Sequence, residues 1–240
     1  MLTVRRGGIG FQTHAQGPGG PVPKVLSSGE SHGASFVAGT WVHARDGLKP
    51  IESIQVGDEV LSRPDSGVGE PCYKRVLRTF RRDGEEVWLL DVVTADGDEQ
   101  VSLVCTANHA FWVKGVGWTA LADLEPGDDL ERVDSRGRPA PCFVLRVLRI
   151  LATDHEHMGW AGDSFSRDFD GPTIDLRHGR VAVSALQDDA RNAAAEAGGV
   201  PLRHAVFNIE VEDFPTYFVG EAGVWVHCCA DRAVSRARAG

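Results

Sequence analysis

"LKPIESIQVGDEV" (residues 48–60) and "WTALADLEPGDDL" (residues 118–130) decide how this chain is read. With one laid against the other at an offset of 70, Ile51 meets Leu121, Ile54 meets Leu124, Gly57-Asp58 meets Gly127-Asp128, and Val60 meets Leu130. Each copy reads as a short apolar turn or helix, closed by a Gly-Asp turn, with a strand starting behind it. Three further matches follow in the same order. "RVLRT" (75–79) meets "RVLRI" (146–150), "VWLLDV" (87–92) meets "VFNIEV" (206–211), and "HAFWV" (109–113) resembles "GVWVH" (223–227). Ordered matches of this kind indicate an internal duplication. The offset grows from 71 to 119 between the second and third match, which puts about 48 extra residues between Ile150 and Val206. Two halves of one fold place their ends near a pseudo-twofold axis, so a start at residue 35 and a finish at 227 are expected side by side.

Around the repeat, apolar runs of strand length alternate with Gly, Asp and Pro turns: "EVLS", "EVWLLDVV", "VSLVCT", "TYFVG". Val, Trp, Phe and Leu in such runs predict many short strands and an all-β fold. Asp46-Gly47 reads as a hairpin turn and "FRRDG" (80–84) as a solvated one. Trp41, Trp88, Trp112, Trp118, Trp225 and Cys105 read as core. One helix is expected, over 184–197, with Ser184 and Gln187 as a capping box and Gly198 as its stop. Residues 1–34 hold eight Gly and three Pro with little apolar periodicity, and read as a flexible leader. Residues 229–240 read as a short polar tail.

Composition excludes several function classes. A net charge of −9 argues against a nucleic-acid or anionic-membrane surface. No apolar stretch approaches a membrane span, and Met1-Leu2-Thr3-Val4-Arg5-Arg6 lacks the apolar core of a signal peptide, so a cytoplasmic chain, or one exported only within a larger system, is expected. Five cysteines without a CxxC pair point away from a zinc knuckle and toward a reducing compartment.

Within this layout "TANHAFWV" (106–113) stands out, because Thr106, Asn108 and His109 directly precede a buried aromatic run. Alone, His109 reads as a core histidine and Thr106 as a residue satisfying strand-edge backbone groups. Together with "SFVAGTWVHARDGLKPIESIQVGDEVLS" (35–62), "GWTALADLEPGDDL" (117–130) and "VFNIEVEDFPTYFVGEAGVWVH" (206–227), the segment resembles the Hint domain shared by hedgehog proteins and inteins. It is closest to the bacterial intein-like and pretoxin branch of polymorphic toxins. The resemblance implies a two-fold pseudosymmetric, horseshoe-like β fold over 35–228, with an insertion at about 151–203 that carries the short helix.

The chemistry that the resemblance implies is single-turnover cleavage of the chain's own backbone, by a monomer and without a cofactor or metal. Ser35 takes the position of the nucleophile, and the scissile bond is Ala34–Ser35. His109 takes the position of the group that destabilises this amide and protonates its leaving nitrogen. Thr106, with nearby amides, takes that of the oxyanion support. His227 matches the penultimate histidine at the downstream junction, Cys228–Cys229; Asn108 and Asn208 are possible supporting residues. The pattern is departed from at several places. Ser35 stands where most members have Cys, Asn208 where splicing members have Asp, Pro215 where they have His, and Cys228 where they end in Asn. A cysteine has no side-chain amide to cyclise, so full splicing is not expected. Two alternatives stay open: a non-catalytic Hint scaffold, and a metal-binding β domain using Cys228, Cys229 and a histidine, with His155 and His157 as a second pair.

Overall fold

The computed structural model describes residues 33–95, 100–162, 171–184, 192, 194 and 198–228. The first half holds β1 (Phe36–Val37), β2 (Trp41–Ala44), β3 (Gly47–Pro50), β4 (Glu59–Ser62), β5 (Cys72–Glu86), β6 (Trp88–Thr94) and β7 (Gln100–Cys105). The second holds β8 (Ala110–Val113), β9 (Gly117–Ala120), β10 (Asp129–Val133), β11 (Pro139–Ala152), β12 (Met158–Ala161), β13 (Thr173–Asp175), β14 (Ala182–Ser184), β15 (Arg203–Val211), β16 (Thr216–Val219) and β17 (Val224–His227). All described pairings are antiparallel.

The repeat is reproduced bond for bond. A single turn of 3₁₀ helix starts at Ile51 in one half and at Leu121 in the other, and both residues are buried. Behind each turn, the aspartate carboxylate accepts a backbone N–H three residues back. Gln55 donates to Asp58 at 2.8 Å and Glu125 to Asp128 at 2.9 Å. Gly57 and Gly127 sit at φ of 96° and 93°, a region that favours glycine, and each N–H donates to a following strand, at Val76 and Val144. Turn chemistry of this kind tolerates few residue types, which is why Gly-Asp survives in both copies.

Strands are then exchanged between the halves. β5 pairs with β15, and β11 with β6. Val211 faces Val76 and Val92 faces Val144; beyond them, each ladder skips one residue, so Glu210 faces Arg78 and Asp91 faces Arg146. The skipped residues, Leu77 and Leu145, are each 42% exposed. These registers equate Val76-Leu77-Arg78 with Val144-Leu145-Arg146, and not with residues 147–149 as the sequence match has it. "HAFWV" and "GVWVH" are likewise not repeat partners. They form β8 and β17, which pair with each other through Phe111 and Val226, while the counterpart of β8 is β2.

Three other expectations change. "FRRDG" is no turn: β5 runs through it to Glu86, because the ladder with β15 outweighs its local turn propensity. Trp41 is 37% exposed, since it points outward from β2, where Val42 and Ala44 point in. Trp225 is fully buried, with Trp112 and Trp118 packed on it. Ser184 is the last residue of β14; Asn192 and Ala194 are helical, and the rest of that expected helix lies outside the described residues. The leader before residue 33 and the tail from Cys229 onward also lie outside them.

One apolar core runs under both halves, including Val42, Ile51, Leu90, Phe111, Leu121 and Ile209. The long insertion adds a β12–β13–β14 meander to the end of β11. Its Ala161, Ile174 and Leu176 close a second core over Val37, Val104 and Val206.

Candidate functional site

β1 runs between β7 and β15, so the chain entering it is enclosed. Ala34 and Ser35 are both buried. The Ser35 N–H donates to the Thr106 hydroxyl at 3.1 Å, and the Thr106 N–H donates back to the Ser35 carbonyl at 3.0 Å. The His109 N–H then closes a tight turn on the Thr106 carbonyl at 3.1 Å. The second repeat clamps this turn, because Leu121 donates to the His109 carbonyl and Ala122 to the Ala107 carbonyl. Asn108 occupies the same turn, half-buried.

His109 is fully buried, and neither ring nitrogen has a hydrogen-bond partner among the described residues. Its ring lies 4.1 Å from that of Phe36 and 5.6 Å from that of Phe111. Burial, with the nearby His227 as a smaller effect, pushes its pKa down to about 3. Its ring is therefore neutral at neutral pH.

Asn208 is the junction of the site. Its amide nitrogen donates to the Ala34 carbonyl at 2.6 Å and also to the Cys228 carbonyl. Its amide oxygen accepts from the Ile209 N–H at 2.8 Å and the Tyr217 hydroxyl at 2.9 Å. Two carbonyls can only accept, so this network fixes which way the amide points. The two ends of the fold, 174 positions apart to Ala34 and 20 to Cys228, meet at one nitrogen. Cys228 is buried and donates its N–H to the Pro215 carbonyl at 2.7 Å. His227 is buried against Trp118, 5.1 Å between rings.

Ser35, Thr106, His109, Asn208, His227 and Cys228 are thus gathered in one place; Cys229 lies outside the described residues. Sequence reasoning missed Tyr217, which orients Asn208. The only signal was that it is one of two tyrosines in the chain and sits in an apolar strand. Elsewhere, burial pushes the thiol of Cys142 up to about 12 and that of Cys105 well above its ordinary value, so both stay protonated at neutral pH. Among the described residues, no group of three His, Cys, Asp or Glu side chains is placed to hold a metal ion.

Residues 41–140 match the family model of the pretoxin HINT domain, a span that holds Thr106, Asn108 and His109 but not Ser35, Asn208, His227 or Cys228. The solution structure of a bacterial intein-like domain from Clostridium thermocellum is similar, with 26% identity and a TM-score of 0.50 over 80% of this chain and 97% of that one. A DnaB intein from Synechocystis shares the fold at 12% identity and a TM-score of 0.50, over 82% and 98% of the two chains. No curated protein matches in sequence.

Proposed function

We propose that this chain, whose fold is that of the intein-type Hint domains, is a self-processing domain that cuts its own backbone at Ala34–Ser35. The Ser35 hydroxyl attacks the Ala34 carbonyl, and its proton passes to the neutral ring of His109. The ring returns that proton to the Ser35 nitrogen as the C–N bond breaks. An ester remains, joining Ala34 to the Ser35 oxygen, and water hydrolyses it to a free leader carboxylate and a chain beginning with Ser35. The observation that carries this reading is the grip on one peptide unit: Asn208 holds the Ala34 carbonyl while Thr106 holds the Ser35 N–H. An amide held at both ends, in a buried site, is positioned for attack and has donors where negative charge develops.

Downstream, the Cys228 thiol cannot form a succinimide, so neither tail release by cyclisation nor ligation of leader to tail follows. An intact-mass time course with and without hydroxylamine tests the proposal. Hydroxylamine should intercept the ester and release a fragment beginning at Ser35, and Ser35→Ala should abolish it. An equal yield from the Ser35→Ala chain would sink the acyl-shift mechanism. A parent chain that stays whole under all conditions would leave the non-catalytic scaffold instead.

A further inference from the structure

We propose that Arg82 selects the residue two positions before Ser35, so that the site accepts a leader ending in two small residues. The inference rests on the cleavage reading for its kinetics but not for its packing. Gly33 precedes the junction, and a Cβ built on it would overlap the guanidinium carbon and both terminal nitrogens of Arg82. Gly33 is not among the glycines with positive φ, so its backbone admits any residue. Only the space is taken.

Arg82 reaches that space because β5 continues through "FRRDG". It stands opposite Val206 of β15, and Val206 pairs in turn with Val37 of β1. The half-buried side chain therefore extends from the third strand, across the second, to the chain that leads into Ser35. A planar guanidinium lies closely over a bare glycine peptide, so a larger residue there has to displace the end of the Arg82 side chain. The next position is closed as well. Ala34 is only 3% exposed, and its carbonyl is tied to Asn208. At the preceding peptide, the Thr106 hydroxyl is 3.5 Å from the Gly33 carbonyl. Glycine followed by alanine is what this enclosure fits.

A four-chain comparison tests the assignment: parent, Gly33→Leu, Arg82→Ala and the double variant. Hydroxylamine-dependent cleavage at Ala34–Ser35 is measured in each, and thermal midpoints are measured in the same four carrying Ser35→Ala, where nothing is cut. Gly33→Leu should slow cleavage about tenfold or more by misplacing the scissile carbonyl, and Arg82→Ala should recover most of that loss. The melting temperatures should be coupled in the same sense, with Gly33→Leu costing less when Arg82 is absent. Cleavage of Gly33→Leu at the parent rate, or an equal slowing with and without Arg82, overturns the assignment. If the parent is not cut at all, the cleavage reading fails and the melting cycle alone decides: coupled midpoints uphold Arg82 as the occupant of that space, and additive midpoints overturn it.

Discussion

Replacing His109 by leucine should flatten the acid limb of the stability profile. Folded, the buried imidazole binds a proton only below about pH 3; unfolded, it binds one below about 6.5. Between these values the unfolded chain holds the extra proton, so stability falls as pH drops from 6.5 toward 3. Each pH unit in that window is worth about 1.4 kcal/mol, so the parent should lose roughly 2.7 kcal/mol from this group by pH 4.5 and about 5 by pH 3. His43, whose pKa burial also lowers, acts in the same direction, and so the comparison has to be made between parent and variant. Urea unfolding followed by tryptophan fluorescence at pH 7 and 4.5 measures the difference. At pH 7 the leucine variant should match or exceed the parent, because an apolar group replaces a buried ring with no hydrogen-bond partner among the described residues. Cleavage should nevertheless be lost. Parallel pH profiles for the two chains, or a His109 resonance titrating near 6.5, would refute the reasoning.

Ser35→Cys should speed cleavage and make it responsive to dithiothreitol, since a thiolate is accessible near neutral pH; an unchanged rate by intact mass would mean that attack is not limiting. Asn208→Ala frees both junction carbonyls and should slow cleavage about 100-fold or more, with circular dichroism unchanged. Arg146→Ala should cost about 2–4 kcal/mol in urea, because Asp91 is fully buried and keeps only the Ser102 hydroxyl among the described residues, whereas the counterpart pair Arg78–Glu210, at 3.7 Å on an exposed arginine, should cost under about 0.5. Replacing residues 151–203 with a Gly/Ser linker lifts Ile174 and Leu176 off the second core and should cost about 3–6 kcal/mol; an unchanged urea midpoint would show that the meander is dispensable.

The duplication was legible because its turns depend on residue identity: a glycine at positive φ and an aspartate that caps backward cannot drift far in sequence. Its alignment was less so. "FVLRVLRI" contains Val-Leu-Arg twice in tandem, and only the ladder opposite β6 tells which copy is the repeat. Local turn signals in "FRRDG" misled for a related reason, since the partner strand that overrides them lies more than 100 residues away. In the candidate site, motif resemblance pointed to Ser35, Thr106, His109, His227 and Cys228, with Asn108 and Asn208 as supporting residues, and the fold brings them together. Arg82 and Tyr217 were not legible in this way, because their parts depend on which strand lies across from which, and nothing in their own neighbourhoods records that.

The bond from Asn208 back to Ala34 also sets a clock on synthesis. The junction is made among the first residues of the described fold, while its clamp comes 174 positions later. At translation rates of about 5–20 residues per second, roughly 10–35 s separate the two on the ribosome. During that interval Ala34–Ser35 is an ordinary peptide bond. The exchange of β5 and β11 between the halves lengthens the wait, because β5 pairs with β4 only as far as Arg75 and its remaining length, from Val76 to Glu86, meets its partner in the ladder only when β15 exists. Under the proposed cleavage at Ala34–Ser35, whatever precedes the junction therefore has time to fold, bind or be handed on while still attached, and would become separable only once nearly the whole domain has been made.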